Sequence, residues 1–348
     1  MQADAQVLRK WVFPQWPVAL ILLTAAFFLN DSRVEDWPPY LLFLPFLASI
    51  ILFGLPHGAL DDQILVRAFK KPKAFWSRLL LIDAAYLAVA LAFLGFWFLS
   101  PEIAFLLFIG ITWVHWGQGD LYVLSRAYGA SYTRRLPVQL FVIFLRGSLP
   151  MGLTAICYPA VYSDVALWTI QVIDPTVEFH HLLSALYPVL PFAFLCLLLL
   201  IFLYLTFLFL QVQKEGKTAG WIDAIELLIL FFLFSSIHPL LSIGLYFCFW
   251  HSTRHLSRLH AFSNERSQHA NAFSLFPLKT LLRTIPNTAI SIFGGIALWF
   301  FLGGLNLDIF SILGIYLILI AILTLPHLGV VTFMDLQESN FCKRFKEL

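Results

Sequence analysis

The sequence predicts an all-α protein: a polytopic transmembrane helical bundle of about ten spans, with roughly eight as the lower bound. Three observations lead there. Of the 348 residues 60% are hydrophobic and only 12% charged, whereas a water-facing domain carries about 25% charged residues. Apolar runs such as 182–210 are longer than a bilayer crossing needs. Basic and acidic connections alternate along the chain.

Spans are expected near 14–30, 38–57, 79–99, 102–124, 137–160, 182–212, 221–237, 240–259, 285–304 and 307–333. The first run is followed by Asp31, Arg33, Glu35 and Asp36 with no small-residue cleavage site, so it reads as a retained span. One set of connections carries Arg9 and Lys10; Arg67, Lys70, Lys71, Lys73 and Arg78; Arg126, Arg134 and Arg135; Lys214 and Lys217; Arg266, Lys279 and Arg283; and Lys343, Arg344 and Lys346. The other set carries Asp31, Glu35, Glu102, Asp164, Asp174, Glu178 and Asp308. By the positive-inside rule both termini are cytoplasmic, with the chain multi-pass in the cell (inner) membrane. Trp11, Trp16, Trp37, Trp76, Trp168 and Trp221 fall near span ends, where interfacial aromatics belong.

Residues 1–348 read as a single integral membrane domain, without repeat, low-complexity linker or soluble domain. The polar stretch 260–271 reads as a cytoplasmic loop. Cys157, Cys196, Cys248 and Cys342 are too dispersed for a disulfide framework or a zinc-thiolate site. No basic patch with interleaved aromatics points to nucleic acid.

Ionisable groups within spans are costly, so buried histidines are functional candidates. His251 and His255, in FCFWHSTRHL, stand four apart, one turn on the same helical face, where two imidazoles reach one metal ion. Trp250 lies beside them, and Arg254 between them is expected at the cytoplasmic end. His57 sits in GLPHGALDD, where Pro56 and the glycines break the helix. Asp61, four residues on, is placed to accept the second ring N–H of His57, the usual carboxylate support of a metal-bound histidine. His115, in TWVHWGQGD, lies mid-span; Gly117 and Gly119 permit close helix approach, and Asp120 is expected towards the cytoplasm. His57 matches the depth of the others only if its span is tilted or broken at Pro56. His238 and His327, each next to a proline, are candidates to line or brace a cavity. His180, His181, His260 and His269 read as solvated. For every candidate the plainer alternative is a histidine that bonds across the bundle.

Taken together, GLPHGALDD, VHWGQGD, HPLLSIGLYFCFWHSTRHL and TLPHLGVV resemble the Brp/Blh family of β-carotene 15,15′-dioxygenases over about residues 40–335. The resemblance implies a multi-pass enzyme that cleaves the central 15,15′ double bond of β-carotene with O₂, giving two all-trans-retinal. It implies Fe(II) held by His57, His115, His251 and His255, and a product passed to a microbial rhodopsin. Imidazole suits iron, copper, nickel and zinc; alkene cleavage by O₂ needs a redox metal. The substrate dissolves in membrane lipid, so a lateral opening into an apolar tunnel is expected. Two alternatives stay open. A di-iron membrane desaturase or hydroxylase acting on a lipid uses more histidine clusters than this chain offers. A non-enzymatic transporter, or a haem protein, predicts inverted repeats or a Soret band.

Overall fold

The computed structural model describes residues 42–43, 46–47, 50–68, 75–178, 187–215, 218–263, 278–304 and 308–338, and among them there is no strand. The expected span 14–30 lies outside the described residues, as do Trp11, Trp16, Trp37, His180, His181 and His269.

The described chain begins in helical residues that pass into a π-helical turn, Ile50–Gly54, and then α1, Leu55–Gly58, and α2, Asp61–Ala68. Pro56 opens α1 at its first turn, where its missing N–H costs nothing. The break expected at Pro56 is therefore present. Next come α3, Phe75–Leu99, and α4, Pro101–Tyr122; α4 likewise starts on a proline, after Ser100. A π turn, Val123–Ala127, leads to α5, Leu136–Ser148, which continues through the π turn Leu149–Leu153 into α6, Thr154–Cys157. Pro150 lies in that second π turn.

The 13-residue α7, Pro159–Gln171, fills a stretch the sequence assigned to a connection. At ~1.5 Å per residue it is too short to cross a bilayer. Then follow α8, Leu190–Glu215, α9, Thr218–Ser236, and α10, Pro239–Leu245. The π turn Tyr246–Ser252 joins α10 to α11, Thr253–Ser263. Helix thus replaces loop at the start of the polar stretch after 260. The chain closes with α12, Leu278–Leu302, and α13, Ile309–Glu338, which carry Pro286 and Pro326 inside them.

Six helical stretches are long and apolar enough to cross a membrane: Trp76–Leu99, Leu136–Cys157, Tyr187–Gln213, Thr218–Ser236, Leu282–Leu302 and Ile309–Leu336. That count covers the described residues, which leave out the expected span 14–30 and part of 38–57; elsewhere the shortfall from ten is chemical. Helix α4 has the length, at 22 residues, but carries Thr112, His115, Gln118 and Asp120. The run from α10 to α11 is divided by its π turn and ends in TRHLSRLH.

The exterior is apolar. Leu80, Leu81, Phe192, Phe202, Phe293 and Phe301 all point outward, which suits lipid and would be untenable in water. The main core runs through the bundle and includes Trp97, Leu145, Leu149, Phe234 and Ile318. A smaller cluster of Leu60, Ile64, Leu256, Leu259, Val330 and Met334 ties α2, α11 and α13 together. Those helices bring Asp61, His255 and His327 to one place. Helices α4 and α5 meet backbone to backbone. A Cβ on Gly117 would lie 2.1 Å from the Ile143 carbonyl oxygen, and one on Gly147 2.1 Å from that of Trp113. Only glycine allows this approach.

Candidate metal centre

Five imidazoles converge between α1, α4, the α10–α11 junction and α13. His57 is the hub. Its ring centroid lies 6.2 Å from that of His115, 5.5 Å from His251, 5.5 Å from His255 and 4.8 Å from His327. His115 and His251 approach further, with centroids 4.7 Å apart and Nε2 atoms 3.0 Å apart. All five are buried.

The donor atoms fall into two sets, each within 4.8 Å: His57, His115 and His251, and Asp61, His255 and His327. The four histidines singled out together in the sequence are thus neighbours, with His251 and His255 falling into different sets. His251 lies in the π turn and His255 in the regular helix after it.

Asp61 requires a second correction. It does not support His57, whose Nδ1–H donates to the Gly54 carbonyl oxygen inside the broken helix. Asp61 Oδ2 instead accepts from His327 Nδ1 at 2.6 Å. Both bonds fix the tautomer: with Nδ1 carrying the proton, Nε2 holds the free lone pair. Gly58 makes room for this arrangement, since a Cβ there would stand 3.4 Å from His327 Nδ1. Gly119 does the same for His251, with a Cβ 3.2 Å from Nδ1 and Cε1. Gly58 of PHG and Gly119 of HWGQG thus face the rings of His327 and His251.

The fit to a metal rests on the nitrogens that remain. Nε2 of His57, His255 and His327 are buried without a hydrogen-bond partner among the described residues. Unsatisfied buried polar atoms are costly, and here three belong to rings whose centroids lie within 5.5 Å of one another. Two nitrogens each ~2.1 Å from one ion and at right angles to each other lie ~3 Å apart, which is the His115–His251 separation. A hydrogen bond between those two rings would explain that distance but not the other three nitrogens. A site of neutral imidazoles suits iron, copper, nickel or zinc.

Behind the rings lies a charge network that the sequence reading missed. Asp120 and Arg254, expected at the cytoplasmic end, are buried at 2% and 3% exposure. Arg254 donates to Asp120 Oδ1 at 3.0 Å and to Glu226 Oε1 at 2.6 Å. Trp250 donates its indole N–H to Asp120 Oδ1 at 3.1 Å, and the Arg254 guanidinium stacks 3.9 Å above its ring. Trp250 therefore braces the network and does not line the cavity. Arg146 pairs with the Asp223 carboxylate and donates to its carbonyl oxygen at 2.9 Å. Tyr132 and Tyr204 donate to Asp223, and Tyr128 to Glu226, at 2.6–2.7 Å. The available signal was Asp223 and Glu226, three apart in an apolar span, with Arg146 in another. Charges within spans seek one another.

A cavity of about 380 Å³ adjoins the cluster, with His57, His115 and His327 in its wall. Phe105, Phe108, Trp116, Leu240, Phe247 and Leu317 line it. Leu87 of α3 and Ile290 of α12 also line it, yet both stand exposed on the apolar exterior. The cavity thus reaches the outer face between these helices. His238 is not in its wall, although Pro239 and Leu240, which follow it, are; its ring lies 6.5 Å from that of Tyr158.

The family model described as Beta-carotene 15,15′-dioxygenase matches residues 48–335. The chain is 31% identical over 309 residues to the probable beta-carotene 15,15′-dioxygenase Blh of Halobacterium salinarum, covering 84% of each chain. It is 28% identical over 299 residues to a beta-carotene 15,15′-dioxygenase of an uncultured marine bacterium, 66A03, covering 85% of this chain and 95% of the relative. It is 22% identical over 361 residues to the probable beta-carotene 15,15′-dioxygenase Brp of Halobacterium salinarum, covering 96% of this chain and 98% of the relative. No solved structure matches.

Proposed function

The chain belongs to the β-carotene 15,15′-dioxygenase family, and we propose that it cleaves the central double bond of β-carotene with O₂ to give two all-trans-retinal. The observation that carries the reading is the convergence of buried imidazoles, Nε2 atoms inward, beside an apolar cavity open to the lipid-facing exterior.

In this reading His57, His115, His251 and His255 hold one Fe(II). The iron supplies the redox chemistry by which O₂ attacks an unactivated alkene. The chain's own residues do the rest. The Gly54 carbonyl sets the His57 ring by taking its Nδ1–H. Gly117 and Gly147 lock α4 against α5 and so fix the depth of His115. Asp120 and Glu226 grip Arg254, which lies between His251 and His255, and so hold the turn that carries both.

Substrate enters from the bilayer between α3 and α12, past Leu87 and Ile290. Phe105, Phe108, Trp116 and Phe247 grip the polyene and keep water from the reacting bond. Each carbon of the broken bond receives one oxygen atom of O₂ and becomes an aldehyde carbon. No proton is transferred, and so no general acid or base is required. The product leaves as it came, into membrane lipid, and serves a microbial rhodopsin. The protein lies in the cell membrane with both termini cytoplasmic.

The test is pigment chromatography of β-carotene-producing cells with and without the gene. Loss of β-carotene with appearance of retinal supports the assignment. Unchanged pigment, with the protein present in the membrane, refutes it.

A further inference from the structure

His327 has no part in the four-histidine set above, yet the geometry places it as centrally as any member. Its ring centroid is 4.8 Å from His57, 4.8 Å from His115 and 5.1 Å from His255. Its Nδ1–H is taken by Asp61 Oδ2 at 2.6 Å, and its Nε2 is buried without a partner among the described residues. A histidine that merely braced two helices would use both nitrogens for bonding, because a buried nitrogen left over is costly. A ring with a carboxylate on one nitrogen and the other turned to a cluster of imidazoles has the arrangement of a metal ligand.

We propose that His327 is a fifth imidazole ligand of the same ion, and that Asp61 is its positioning residue. The inference rests on the metal reading of the cluster and extends it. Asp61 fixes the proton on Nδ1, turns Nε2 inward and makes the ring a stronger donor. The motifs PHGALD and TLPHLG, far apart in the chain, thereby form one functional unit: the first supplies a ligand and the carboxylate that orients the ligand of the second.

The same donors admit a rival, in which Asp61, His255 and His327 hold a second ion of their own. Against it, Asp61 Oδ2 already accepts from the ring with which it would share that ion, which leaves Oδ1 alone to bind it. In addition, His327 is as near to His57 and His115 as to His255.

Purified full-length protein decides the matter by metal binding, without turnover. Fe(II) is titrated under anaerobic conditions into wild type, His327→Ala, His327→Gly and Asp61→Asn, and bound iron is counted. Co(II) is titrated in parallel, and its visible absorption reports coordination number. Wild type is expected to bind one ion per chain. His327→Ala is expected to weaken Fe(II) binding by about 100-fold or more and to change the Co(II) spectrum; Asp61→Asn is expected to cost about 10–100-fold with the spectrum largely kept. Free imidazole is expected to restore the wild-type spectrum to His327→Gly, which loss of a structural residue would not allow. If His327 variants do not fold, Asp61→Asn alone decides, and unchanged affinity in it overturns the proposal. An unchanged Co(II) spectrum in His327→Ala overturns the fifth ligand while leaving the four-histidine site intact. Two ions per chain overturn it in favour of the second site. No metal bound by wild type overturns both this and the metal reading beneath it.

Discussion

His115 Nε2 and His251 Nε2 lie 3.0 Å apart, although 136 positions separate the two residues in the sequence. Two helices and a π turn must be placed to within a few tenths of an ångström for that to happen, and most of the fold around the site does this placing. The consequences are open to experiment.

Alanine in place of His57, His115, His251 or His255 is expected to lower retinal formation by at least about 100-fold, since even outer-shell losses at metal sites cost 10–100-fold. Retinal quantified in β-carotene-producing cells, normalised to protein in the membrane, checks this. Substantial activity in one variant removes that residue from the ligand set.

Two glycines of HWGQG are expected to fail differently. Gly117→Ala drives a methyl group to 2.1 Å from a backbone oxygen of α5, which should cost stability, about 1–3 kcal/mol as overpacking. Gly119→Ala meets the His251 ring at 3.2 Å and should weaken metal binding by about 10-fold in a folded protein. Gly110→Ala, with nothing within 4 Å, is the neutral control. Thermal unfolding in detergent and metal titration separate the three.

Arg254→Met removes the nearer of the two cations that Asp120 and Glu226 share, leaving Arg146 at 3.8 and 3.9 Å. Removing one partner of a buried ion pair costs about 3–5 kcal/mol, so this variant should lose folded protein before it loses specific activity. A folded fraction measured by size-exclusion chromatography that equals wild type would contradict this role for the network.

The sequence carried much of this, and unevenly. Helix class and the break at Pro56 were legible because apolar run length and proline chemistry are local. The histidines were legible because an imidazole in a span is expensive wherever it points. The partner of Asp61 was not legible: spacing of four pointed to His57, but the local break gave His57 a backbone acceptor and left Asp61 to a ring 266 positions away. The π turn that carries His251 was not legible either, since it has no sequence signature as plain as a proline. Ten spans were expected and six of the described helices are apolar enough to qualify; the expected span 14–30 lies outside the described residues, and α4 is made too polar by the site. Arg146, Asp223 and Glu226 were visible as charges within spans, but their partners lie on other helices and only the packing brings them together.

Chelation offers a separate check. Stripping the purified protein of metal should abolish turnover, and Fe(II) should restore it where Zn(II), which has no redox chemistry, does not. Equal restoration by zinc would exclude a redox role.

The most direct measurement is a single-ion balance on purified protein: iron bound per chain, β-carotene consumed and retinal formed, in one aerobic reaction. The account predicts one iron, with two retinal for each β-carotene lost. Iron-loaded, folded protein that leaves β-carotene intact, or that yields products of unequal length, would contradict it.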